Sequence, residues 1–164
     1  MNDKDKAKKV SDTKESAKLR ILADKKDHEG KAKRYDVTAG LLDQAHWEIT
    51  DLGRVLVWLE GETTKHDSIF AYSSVGVTAE YLASVKGVNI AVAYTKADES
   101  GMRKFSIIGY EGAPDYWNIM LKLHAAESTR GQTNWYSSWP GFSIDNKASR
   151  LEPEAVLQVI REVL

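Results

Sequence analysis

The chain predicts an α+β fold: a small mixed β-sheet with a central antiparallel hairpin, packed against helices. Two β-rich runs, VNIAVAYT (residues 88–95) and RKFSIIGY (103–110), flank KADESGM, a connector with three charges and a glycine. That arrangement predicts a hairpin. Runs of helical period lie before and after these strands, so helices cover a small mixed sheet. The 164 residues, 42% hydrophobic and 29% charged, suffice for one domain with a sizeable core.

The elements follow in chain order. Residues 1–36 form a charged leader with 12 basic and 8 acidic side chains and no aromatic before Tyr35. Val10, Ala17, Leu19, Ile21 and Leu22 make an apolar stripe too thin for firm docking, which predicts a flexible, solvated, partly helical tail. A basic arm for RNA or another polyanion is the sharper reading, and the interspersed acids oppose it. Residues 37–164 are the single α+β domain. Thr38 is placed to cap a helix carrying Leu41, Leu42, Ala45, Ile49 and Leu52, with Gly53 ending it. RVLVWLEG (54–61) alternates and is β-branched, as a strand should be. ETTKHD reads as loop, SIFAYSS as a short strand, and VTAEYLASVKG as a helix closing on Gly87.

After the hairpin, APDYWNIMLKLHAAES predicts a helix with Pro114 in its first turn and Asp115 beside the positive end of its dipole. Trp117, Met120, Leu121 and His124 fall on one side of it. An aromatic loop, STRGQTNWYSSWPGFSI (128–144), leads to a last strand near GFSI, and EPEAVLQVIREVL closes the chain as an amphipathic helix with Pro153 in its first turn. The predicted order is α-β-(β)-α-β-β-α-β-α.

Composition excludes several chemistries. With no cysteine there is no disulfide, thiolate nucleophile or Cys-ligated zinc, which suits a reducing cytoplasm. No apolar run reaches the roughly 18 residues of a membrane helix, so no membrane partner is expected. The body carries 11 basic and 16 acidic residues and has no general pull on nucleic acid. His46, His66 and His124 lack metal-ligand spacing, G-x-S-x-G is absent, and neither phosphate-loop pattern occurs. No catalytic residue, metal site or cofactor is expected.

The aromatic loop is the candidate binding element. Its cation, amides, hydroxyls and flat rings suit a nucleotide: Arg130 for a phosphate, Gln132 or Asn134 for a base edge, Trp135 or Trp139 for stacking. Against this stands the reading that Trp135, Trp139 and Phe142 plug the core. Phe142 is read as core, and for the two tryptophans both readings stay open.

The stretch TAEYLASVKGVNIAVAYTKADESGMRKFSIIGY (78–110) resembles the helix, strand and hairpin of the DHH-associated C-terminal domain of DHH phosphoesterases. PGFSI and LEPEAVLQVIREVL echo that domain's last strand and helix, so the resemblance spans residues 77–164. Its Gly-Gly-Gly-His loop is replaced by RGQTNWYSSW, and the Asp-rich catalytic half is absent. The resemblance implies an accessory domain that holds a nucleotide or a single-stranded nucleic-acid end without cleaving it. By position it points to Ser106 and the segment from Arg130 to Trp139, and the lysine leader would add salt-sensitive attraction. Two other expectations remain: a protein-interaction or assembly subunit, since Trp and Tyr are common anchors, and a small hydrolase using His66 or His124 with a carboxylate.

Overall fold

The computed structural model describes residues 1–27, 32–62, 74–110, 115–127, 135–137 and 142–164. SIFAYSS lies almost wholly outside them; its last residue, Ser74, begins a helix. In chain order the elements are α1 (Asp3–Asp27), α2 (Ala32–Gln44), β1 (His46–Ile49), β2 (Val55–Glu60), α3 (Ser74–Ala83), β3 (Ile90–Tyr94), β4 (Arg103–Gly109), α4 (Tyr116–Glu127), β5 (Trp135–Ser137), β6 (Phe142–Ser149) and α5 (Pro153–Val163). The strands form one sheet in the order β1-β2-β3-β4-β6-β5. Only β2 and β3 run parallel; every other neighbouring pair is antiparallel. The fold is therefore α+β with a mixed sheet, and its centre is the expected β3–β4 hairpin.

Strand alternation divides the core in two. One face sends Val55, Val57, Ala91, Ala93 and Ile108 toward α2 and α3. The other sends Leu56, Ile90, Val92, Phe105, Ile107 and Ile144 toward α4 and α5. α3 is the crossover that a parallel β2–β3 pair requires, and it is buried at every position from Val75 to Ala83. α5 buries Val156, Leu157 and Ile160, with Pro153 at its start as expected.

Three sequence expectations change. The helix placed over Thr38–Leu52 ends at Gln44, and its second half becomes β1. His46 to Ile49 pairs with Val55 to Trp58, and the five-residue turn between closes with Thr50 N to Arg54 O at 2.9 Å. Gly53, with φ +79°, serves that turn rather than a helix end. Leu52 points out at 81% exposure, and Thr38 is buried within α2 instead of capping it. The mistake has a physical origin: Ile49 satisfies the helical period and the strand period alike, and the pairing partner decides.

The second change is on α4. Asp115 Oδ1 accepts the Trp117 backbone N–H at 3.0 Å and caps the helix. The buried set is Ile119, Met120 and Leu123, while Trp117 (56%) and Leu121 (64%) face outward. Rotating the inner face toward Ile119 and Leu123 puts two aliphatic side chains on the sheet instead of one indole.

The third concerns the leader. α1 is a 25-residue helix, capped by Asn2 through Asp5 N–H at 2.8 Å. It lies on α2 and β1, and the expected boundary at residue 36 falls inside α2. The apolar stripe is as thin as expected, with only Val10, Ala17 and Ile21 packed on the core. Lysine heads take its place. Lys6 pairs with Asp51 at 2.7 Å, Lys18 with Asp43 at 2.8 Å and Lys25 with Asp36 at 2.7 Å. Lys9 donates to the Gly53 carbonyl and Lys14 sits 5.4 Å over the Trp47 ring. The surplus of positive charge in the leader meets the acidic body directly.

Candidate functional site

The aromatic loop begins after Glu127, the last residue of α4, and includes Trp135 in β5. Arg130, Gln132, Asn134 and Trp139 lie outside the described residues, as does His66. The side chains on either side of the gap can be placed.

Trp135 is in the core. Its Cα pairs with that of Asn146 on β6, which pairs in turn with Phe105 on β4 and, one strand further, Tyr94 on β3. Residues paired across a sheet share a face, so the rings of Tyr94, Phe105 and Trp135 follow one another at 5.6 and 5.7 Å. α4 and α5 cover that face, leaving Trp135 4% exposed. Its indole plugs the core and offers no open surface for stacking. This decides one of the two readings left open above.

Ser106 follows Phe105 on β4 and so points to the opposite face, toward α3. It is fully buried, paired with Ala93 and Asp145, and its hydroxyl has no hydrogen-bond partner. The pleat separates Ser106 from Trp135, so these two residues, expected to share a ligand, do not meet.

A polar cluster surrounds the Trp135 indole instead. His124 Nε2 lies 3.0 Å from the Trp135 carbonyl. A carbonyl only accepts, so this nitrogen carries the hydrogen and donates. The Ser149 hydroxyl donates to Glu127 Oε1 and accepts the Leu151 backbone N–H at 3.0 Å, fixing the end of β6 to the end of α4. Asn146 is 4% exposed, and among the described residues neither atom of its amide nor Trp135 Nε1 makes a hydrogen bond of normal geometry. Burial raises the Glu127 pKa. The Trp135 and Asn146 side chains and the His124 ring draw it back down without outweighing burial. The indole and amide stand near enough to lower the carboxylate's pKa without making a hydrogen bond of normal geometry to it. A buried polar group without a good partner costs about 1–3 kcal/mol, so Asn146 and the indole N–H form an incompletely satisfied set of donors and acceptors beside Glu127.

Sequence reasoning missed Asn146, Glu127 and Ser149. One signal was present: in FSIDNKAS, Asn146 has the same parity as the buried Ile144, so a polar residue sits at a core position. Glu127 and Ser149 carry no such mark, because their meeting depends on tertiary structure alone.

Among the described residues no group of three or more His, Asp or Glu is gathered to hold a metal ion. No helix among them is long and apolar enough to cross a membrane. The chain matches no family model and none of the curated proteins.

Proposed function

We propose that this chain is a binding domain of the DHH-associated type that holds a nucleotide or the end of a single-stranded nucleic acid at its β5–β6 edge and does not cleave it. The observation that carries the reading is the buried, incompletely satisfied Asn146 amide and Trp135 N–H beside Glu127, next in sequence to a stretch rich in Arg, amides and rings. An amide presenting both a donor and an acceptor matches the edge of a base, and Arg130 and Trp139 supply the phosphate contact and the stacking face. Trp135 acts here as the floor of the site, holding Asn146 in place.

The test is fluorescence anisotropy with labelled short RNA, DNA and dinucleotides. Trp139→Ala should weaken binding by roughly 5- to 150-fold, since stacking contributes about 1–3 kcal/mol per base. Asn146→Leu should weaken binding while leaving the melting temperature unchanged or higher, because it removes a buried, incompletely satisfied amide. Unchanged affinity in both variants, or no binding by any probe, would sink the reading.

One observation favours a second reading, a protein-interaction module. Trp117 and Leu121 lie one turn apart on α4, both mostly exposed, with the Tyr116 ring stacked on Trp117 at 5.3 Å. An exposed Trp beside a Leu is the composition of an interface anchor. A stable partner lost on Trp117→Ala, with no nucleotide-dependent thermal shift, would favour it. The hydrolase reading through His124 has less support, because the Nε2 nitrogen is already donating to a carbonyl.

A further inference from the structure

Docked across the body, α1 forms one wall of a half-open cavity of about 590 Å³ against α2 and the chain following α3, within the roughly 300–1,000 Å³ of small-molecule sites. Asp12, Ser16, Arg20 and Asp24 recur every four residues and form one stripe of α1 along its wall. Tyr35 and Thr38 of α2 face them, and Ser84 and Lys86 close the side beyond α3. A second hollow of about 510 Å³ adjoins it, sharing Arg20, Ser84, Val85 and Lys86 and extending to Tyr110.

The cations decide what this cavity suits. Lys6, Lys9, Lys18 and Lys25 of α1 all bond to the body. Arg20 lines the cavity, and neither it nor Lys86 opposite has an ion pair or hydrogen bond among the described residues. Arg20 and Lys86 line both hollows, with the buried Glu80 beside them in the second, and offer a candidate anion subsite. At another end, where Gly87 approaches Thr13, Asp12 is the carboxylate without a partner, whereas Asp24 has an interaction of its own. Carboxylates of this kind accept from hydroxyl or amine groups, which a bare anion lacks. Between the ends, Ala17, Ile21 and Val85 give an apolar floor and Tyr35 an aromatic side.

We propose that this cavity binds a small phosphate monoester on a hydroxylated or amine-bearing ring, the chemistry shared by nucleoside monophosphates and sugar phosphates. Arg20 and Lys86 take the phosphate, Asp12 and the neighbouring hydroxyls take the ring's donors, and Tyr35 lies against its face. The walls belong to α1 on one side and to α2 and the end of α3 on the other, so the ligand fastens α1 to the body. The site is separate from the β5–β6 edge and does not depend on the function proposed for it.

Calorimetric titration of the full chain at low salt tests this with four nucleoside monophosphates, a hexose phosphate, inorganic phosphate and an unphosphorylated nucleoside. At least one monoester should bind about tenfold or more tighter than either inorganic phosphate or the nucleoside. Whether nucleotide or sugar phosphate wins identifies the source. Arg20→Ala and Lys86→Ala should each weaken that binding about tenfold with no change in the ligand-free melting temperature. Ligand should also slow hydrogen exchange across residues 12–24. Trp139→Ala, which tests the other site, should remove at most the heat of nucleotide binding at the β5–β6 edge and leave the component lost in the Arg20 and Lys86 variants unchanged. Absence of binding by every monoester, equal binding of inorganic phosphate, or full affinity in the Arg20 and Lys86 variants would overturn the proposal.

Discussion

Ser106 and Trp135 show how far the meaning of a side chain depends on which face of a strand it occupies. Ser106 places an unpaired hydroxyl against α3, so Ser106→Ala should be neutral or raise stability by up to about 1 kcal/mol in urea unfolding. Trp135→Ala removes a ring packed on Phe105 and should cost about 3–5 kcal/mol. Glu127 gives a pH-dependent expectation. Its folded-state pKa is raised, chiefly by burial. The folded protein therefore holds that proton more tightly than the unfolded chain, and the contribution is fully present below the ordinary carboxylate range. It is lost as pH rises through the raised value. Glu127→Gln should flatten this dependence and raise the melting temperature at neutral pH by about 2 °C, as thermal scans between pH 4 and 8 would show. At this scale the sequence was half legible. The choice between core and ligand for Trp135 needed the register of three strands, and nothing near Glu127 or Ser149 in sequence announces their contact.

Elements were more legible where pattern and pairing agree. β2, β3, β4, α3 and α5 stand close to where their periodicity puts them, because alternation or a wide apolar face leaves one arrangement that buries it. Two elements escaped. β1 was hidden inside a helical pattern, and β5 (Trp135–Ser137) lies inside the stretch read as an aromatic loop. For α4, Leu123→Ala should cost about 2–5 kcal/mol, whereas Trp117→Ala and Leu121→Ala should stay within about 0.5 kcal/mol of the parent. That contrast, read by chemical denaturation, distinguishes the observed inner face from the one expected. α1 is held by exposed ion pairs, each modest and screened by salt. The Asp43 carboxyl is lowered by its bond to Lys18 and that of Asp51 by its bond to Lys6. Docking of α1 should therefore persist above the ordinary carboxylate range and weaken as pH falls through the lowered values. Trypsin should cut residues 1–27 faster in 0.5 M salt than in roughly 0.05 M, where screening is slight.

Across the whole molecule, one side chain joins the chain's last helix to its first hairpin. Arg161 of α5 bonds to Glu48 of β1 at 2.7 Å and to Glu154 on its own helix, and its guanidinium lies 5.8 Å over the Trp58 ring of β2. The bond to Glu48 is the main reason its pKa is raised. Arg161→Ala loses these contacts together and should lower stability by about 1–2 kcal/mol, with Arg161→Lys recovering only part because it lacks the planar fork. The sheet has a further property. One of its outermost strands, β1, has four residues, while the inner ones run from five to eight. A neighbouring copy seeking to extend the ladder on the β1 border finds few free amides and carbonyls to register against. That border thus discourages edge-to-edge growth.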